Sequence, residues 1–146
     1  MAEAAYRSAV AIVEVGDSLI LEGRPNLPGK LRCAGKVGLF GGGLEEGETP
    51  EDGIRRELSE ELVMPSGLQD IKELTQVWHG TVGEGDVSLF VARLACGAGE
   101  VDIHPDLAQQ GTELVQIGVD TYPQQPTTMF TLRALAAHST GEYENM

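Results

Sequence analysis

The chain has 146 residues, 41% of them hydrophobic, enough for one domain over 1–146 with a sizeable core. Its formal charge of −13 argues against binding a nucleic acid polymer or an anionic membrane surface, since both call for a basic face. No apolar run is long enough to span a bilayer, and the first residues, with Glu3 and Arg7, lack the apolar centre of a signal peptide, so the expected location is cytoplasmic. Cys33 and Cys96 stand alone without Cys-x-x-Cys spacing, which predicts idle thiols in a reducing compartment.

Tyr6 to Val15 alternates loosely between apolar and polar residues, Gly16-Asp17-Ser18 breaks the pattern, and Leu19 to Leu21 resumes it, which predicts a hairpin. Arg24 to Gly29, with two prolines, is a loop. Lys36 to Phe40 is a short strand ending in a glycine turn at Gly41-Gly42-Gly43, and an acidic loop follows. Thr49 as cap and Pro50 at the first position open a helix, with Glu51 and Asp52 against the positive end of its dipole. Ile54, Leu58 and Leu62 form its apolar stripe, which is expected to dock on a sheet, while Gly53 weakens it by about 1 kcal/mol relative to alanine. Ile71 to Val82 reads as a strand, Gly83 to Asp86 as a hairpin turn, and Val87 to Leu94 as a central strand. The segment from Gly97 to Pro105 is irregular, and Glu113 to Val119 is a further strand. Pro126 is expected to open a last helix reaching about His138, with Met129, Leu132 and Ala136 on its buried side. Strands interleaved with two helices predict an α/β fold with one mixed β-sheet and a helix on each face.

The chemistry concentrates between Gly42 and Met64. Glu57, Glu60 and Glu61 are spaced i, i+3, i+4 and share one side of the predicted helix, and Arg56 can reach Glu60 one turn on. Such a run by itself reads as a solvated face laced with ion pairs. With glycines and Glu48 at fixed offsets ahead of it, it suits hard divalent cations and the phosphates they hold. The segment resembles the signature of the Nudix hydrolases: a glycine, five residues, a glutamate, seven residues, then Arg-Glu-hydrophobic-x-Glu-Glu-x-Gly-hydrophobic. Gly42, Glu48, Arg56, Glu57, Leu58, Glu60, Glu61 and Met64 fall on that pattern, and Val63 stands where the signature has its second glycine. A glycine there supplies a positive backbone angle at the helix end, so the chain is expected to leave the helix differently.

The resemblance implies an α/β/α sandwich and a pyrophosphohydrolase that cleaves a nucleoside diphosphate linked to another moiety, with Mg2+ or Mn2+ as cofactor. It implies metal ligation by Glu57, Glu60, Glu61 and the Gly42 carbonyl. Arg56 then orients carboxylates, and Glu48 fixes the acidic loop on the helix. It also allows a homodimer, for which no segment identifies an interface. Glu45 is either loop surface, the favoured reading, or a group that supports a metal ligand from behind. In several Nudix enzymes a glutamate before a late strand serves as base or further ligand; here Gln110 occupies that place and Glu113 is the nearest acid. The motif handles phosphates and does not choose the substrate, although a compact chain leans toward nucleoside triphosphates.

Basic residues are scarce, and Arg24, Lys30, Arg32 and Lys36 fall between Glu22 and Glu45 with no acid among them. They either supply local positive charge for a phosphorylated substrate or form an ordinary solvated loop. The stretch Gly23 to Lys30 has one residue too many for a phosphate-binding P-loop and is followed by Leu31, so that reading fails. His79, His104 and His138 show no ligand spacing, and Trp78 and Tyr122 read as packing. Two other readings compete with the enzyme: a Nudix-like module that binds a nucleotide without hydrolysing it, and a scaffold with an incidental acidic helix. The acidic trio held in register argues against both.

Overall fold

The alternation of Tyr6–Val15 is resolved in the computed structural model, which describes residues 6–25 and 35–146, as a ten-residue strand β1 with two buried faces. Ala9, Ala11, Val13 and Val15 point to one side, where they meet Ile54, Leu58 and Phe90. Val10 and Ile12 point to the other, against Leu19, Leu21, Leu89 and Leu135. Period-two alternation places successive side chains on opposite faces. Both faces being apolar, β1 requires a cover on each side, and the two helices provide it.

β1 turns through Gly16, at φ 58°, into β2 (Ser18–Gly23). The predicted strand at Lys36 to Phe40 is two short strands, β3 (Val37–Gly38) against β2 and β4 (Phe40–Gly43) against β1. Gly41 to Gly43 are therefore sheet and not a turn, paired with Val10, Ala9 and Ser8. Glycine is required at Gly41: φ is 136°, and a Cβ there would lie 2.2 Å from the Ala9 carbonyl oxygen. After α1 (Pro50–Glu61) and the two-residue strand β5 (Leu62–Val63) come β6 (Ile71–Val82) and β7 (Gly85–Leu94). β7 lies parallel to β1 and antiparallel to β6, so the apolar Val87 to Leu94 run is interior. β8 (Asp102–Ile103) pairs with β5, α2 (Pro105–Gln109) follows, and β9 (Glu113–Gly118) pairs with β2. The main sheet has seven strands and is mixed; helix α3 (Met129–Thr140) completes the α/β/α arrangement.

Two expectations are corrected. The last helix starts at Met129 because the Thr128 side chain caps it, while the Pro126 carbonyl and Thr128 N–H bond to Val37 at the β3 edge. Its buried side is Thr131, Ala134, Leu135 and Ala137; Met129 and Ala136 are exposed, and Leu132 is half-buried. Adjacent helix residues differ by about 100°, and the strip that meets Leu19, Leu21 and Leu89 is the one carrying Ala134 and Leu135. The Gly97 to Pro105 segment holds a 3-10 turn at Ala98–Glu100 and the strand β8, and α2 begins at its end, capped by His104, whose Nδ1 accepts from the Asp106 N–H at 3.2 Å. Trp78 packs on Phe130 of α3 with ring centroids 5.6 Å apart. Cys96 is free and half-buried, packed on the core; Cys33, Lys30 and Arg32 lie outside the described residues. Among the described residues no helix is long and apolar enough to cross a membrane.

Candidate active site

Helix α1 is set by its ends. Thr49 accepts from the Asp52 N–H at 3.2 Å and Pro50 takes the first turn. At the other end Leu62 is extended, at φ −122° and ψ 147°, and the chain passes directly into β5. Val63 thus leaves the helix in a strand conformation that a β-branched residue favours, with no left-handed residue at the exit. Ile54 and Leu58 are fully buried against β1 and β4, which orients the next strip of the helix toward the glycines of β4.

Arg56 is the hub of that strip. Its Nε and Nη2 donate to the two Glu48 carboxylate oxygens at 2.8 and 2.9 Å, a bidentate pair. Nη2 also donates to the Gly43 carbonyl at 3.0 Å, and Nη1 to Glu57 at 3.2 Å and Glu60 at 3.3 Å. Glu48 additionally accepts from the Glu45 N–H at 2.9 Å, so the acidic loop, the helix and β4 are tied at one guanidinium. The Arg56 hydrogen bonds hold the Glu48 carboxyl down to about 2, and Glu48 in turn raises Arg56 further above its usual range.

The three helix glutamates differ in environment. Glu60 is exposed at 55%. Glu57 is half-buried, and burial pushes its carboxyl above the usual range. A Cβ on Gly42 would lie 2.8 Å from Glu57 Oε1, so the absence of a side chain at Gly42 is what leaves room for this carboxylate against β4. Glu61 is only 9% exposed. Its Oε1 accepts from the Gly41 N–H at 2.8 Å, yet burial first, and the Glu22 carboxyl next, push it far above the carboxylate range.

Glu22, on β2, was not among the residues singled out from sequence. It is 8% exposed, within hydrogen-bonding reach of Glu61, and held by Arg24 Nε at 3.0 Å. The signal was there in period two: an acid at the position after Leu21 faces the same way as Ile20, into the α1 side. Arg24 is therefore engaged with Glu22 and lies over Gly38, where a Cβ would be 2.9 Å from its Nη2. Lys36 is exposed, and its carbonyl accepts from the Arg24 N–H at 3.1 Å. Glu113 is exposed at the start of β9, opposite Gly23. Lys36, Arg24 and Glu113 line one cleft of about 280 Å³, whose walls include none of the helix glutamates.

Among the described residues no three acidic, histidine or cysteine side chains already converge as a ready-made metal site. The donor chemistry nevertheless fits a hard divalent cation. All the donors are oxygens, Gly42 leaves open space at Glu57, and Glu61, which has no basic partner among the described residues, faces the buried carboxyl of Glu22.

The Nudix domain family model matches residues 5–123. No curated protein sequence matches the chain. Among solved structures the fold is similar to a MutT/Nudix family protein from Listeria innocua, at 18% identity and TM-score 0.68 over 97% of this chain and 96% of that one. It is similar to a MutT Nudix hydrolase from Burkholderia pseudomallei at 22% identity and TM-score 0.61, over 90% and 95% of the two chains. A Nudix hydrolase from Nitrosomonas europaea aligns at 19% identity and TM-score 0.65, over 97% of this chain and 76% of that one. These structural likenesses carry the fold; the match across 5–123, which takes in every glutamate of the α1 cluster, shows that the chain belongs to the Nudix hydrolase family.

Proposed function

We propose that the protein is a divalent-cation-dependent pyrophosphohydrolase of a nucleoside diphosphate linked to another group. The observation that carries this reading is the packing of the Glu57 and Glu61 carboxylates against the Gly41–Gly42 backbone, where one face of a helix and the edge of a strand close on the same space. Glu57, Glu60, Glu61 and the Gly42 carbonyl would hold Mg2+ or Mn2+. When bound, the cation neutralises diphosphate charge and lowers the pKa of a water molecule.

The chain's own residues do the rest. Arg56 spreads one positive charge over Glu48, Glu57 and Glu60 and so fixes the carboxylates in register. Without a cation the buried Glu61 carboxyl, beside Glu22, favours its protonated form, and a cation held there would favour the carboxylate. In the net reaction, water oxygen bonds to one phosphorus, the bridging P–O bond breaks, and the protons released pass to solvent. Glu113 and Lys36 line the neighbouring cleft, where the two would contact the rest of the substrate.

The test is a panel of nucleoside diphosphate derivatives with Mg2+ or Mn2+, scored for phosphate-bearing products. At least one member is expected to be hydrolysed, and Glu61→Gln is expected to lose most of that turnover. Undiminished turnover in the variant would remove Glu61 from the ligand set. Tight binding with no product from any member would instead support the non-hydrolysing nucleotide-binding module.

A further inference from the structure

Strand β2 carries two fully buried apolar residues, Ile20 and Leu21, and then an acid that is nearly as inaccessible, Glu22. An ionised carboxylate is costly to bury without partners. The Glu22 backbone is clamped on both sides, opposite Gly38 of β3 and opposite Leu114 of β9. Period two turns its side chain to the α1 face of the sheet, the side of Ile20, and there it meets Glu61 at the end of the helix. The Glu61 backbone is fixed as well, because its carbonyl accepts the His104 N–H at 2.8 Å.

Each carboxyl is held by one donor. Arg24 Nε donates to Glu22 Oε1 at 3.0 Å, and the Gly41 N–H donates to Glu61 Oε1 at 2.8 Å. Among the described residues no further residue donates to either group, although both are more than nine-tenths buried. Glu57 adds a third acid nearby. Positive charge does not match this count. Arg24 serves Glu22 through a single nitrogen, and Arg56 is already divided among Glu48, Glu57 and Glu60. Like charges brought together away from water repel strongly, and rigid backbones prevent these two from moving apart. Oxygen donors fixed in that way on two elements are preorganised for a hard cation.

Resting on the pyrophosphohydrolase reading above, we infer that Glu22 is a further ligand of the cation site, supplied by the sheet to face the glutamates supplied by the helix. It lies outside the Gly42 to Met64 segment that carries the signature. Arg24 is then a resident positive charge that competes for Glu22, holding one oxygen and leaving the other to the site.

Mn2+ binding to the full chain without nucleotide, followed by the paramagnetic resonance of the free ion, separates a ligand from an anchor for Arg24. Glu22→Gln is expected to weaken Mn2+ affinity about tenfold or more. Arg24→Gln removes the competing charge, so its affinity is expected to equal or exceed that of wild type. Circular dichroism checks that each variant folds; if Glu22→Gln does not, Glu22→Asp keeps the charge, shortens its reach by one methylene and is expected to weaken binding at least threefold. Unchanged affinity in the Glu22 variant that folds, or an equal loss in it and in Arg24→Gln, overturns the inference. Glu61→Gln run alongside keeps the two readings apart: if it still loses Mn2+ affinity, the site on α1 stands without Glu22. A wild type that takes up no Mn2+ overturns both.

Discussion

A single guanidinium organises the candidate site. Arg56 makes a bidentate bond to Glu48 and reaches Gly43, Glu57 and Glu60 from a side chain that is 23% exposed. A lysine has neither the planar fork nor the number of donors to replace it. Arg56→Lys is therefore expected to lower stability by roughly 1–3 kcal/mol, the scale of hydrogen bonds to charged groups, measured by urea unfolding. A variant as stable as wild type would show that the hub is dispensable. The same pair gives a pH dependence of definite sign. Glu48 titrates at about 2 in the folded protein, below its ordinary value. The pair therefore contributes its full stability above about pH 4.5, and that contribution is lost as pH falls toward 2. In acid titrations followed by circular dichroism, Glu48→Gln is expected to start from lower stability at pH 7 and to lose less of it on acidification. Parallel curves for the two proteins would contradict this.

At the scale of elements, Gly53 separates local preference from packing. Helix propensity alone says that Gly53→Ala in α1 stabilises by about 1 kcal/mol. The structure says otherwise: a Cβ there would lie 2.2 Å from Leu44 Cδ2 and 3.1 Å from Glu48 Oε1. Leu44 is packed on the core, so moving it carries the usual overpacking cost of roughly 1–3 kcal/mol. The expected result is a lower thermal midpoint in Gly53→Ala, with weaker cation binding because Glu48 is displaced. A higher midpoint would show that Leu44 rearranges freely. The end of the same helix illustrates the reverse case, where local preference prevails. Val63 cannot adopt the left-handed exit that a glycine allows, so the chain leaves as strand β5 and recruits β8 as its partner.

For the molecule as a whole, a cation held at the proposed site would be coupled to folding through the buried carboxyls of Glu22 and Glu61. They sit on different elements, β2 and α1, and each is nearly inaccessible. A ligand that binds only the folded state adds stability, about 2.7 kcal/mol at a hundred times its dissociation constant. Saturating Mg2+ or Mn2+ is therefore expected to raise the melting temperature of wild type, and to raise that of Glu57→Gln and Glu61→Gln much less. A melting temperature that is indifferent to both cations in wild type would count against the whole assignment of the site.

Features that depend on neighbours along the chain are legible in residue order alone. The Thr49 cap, the Pro50 start, the spacing of Glu57, Glu60 and Glu61, the hairpin turn at Gly16 and the interior character of Val87 to Leu94 are all local chemistry or simple period. Features that depend on partners far apart in sequence emerge with the fold, and it acts at particular residues. It brought Glu22 to Glu61, committed Arg24 to Glu22, and made Gly41 to Gly43 a strand because β1 offered a partner. It also turned α3 onto Ala134 and Leu135, because Pro126 and Thr128 were held at the β3 edge. The reason is physical: a cap or a turn is satisfied within a few residues, whereas a buried charge or a strand edge is satisfied only by whatever the fold places against it.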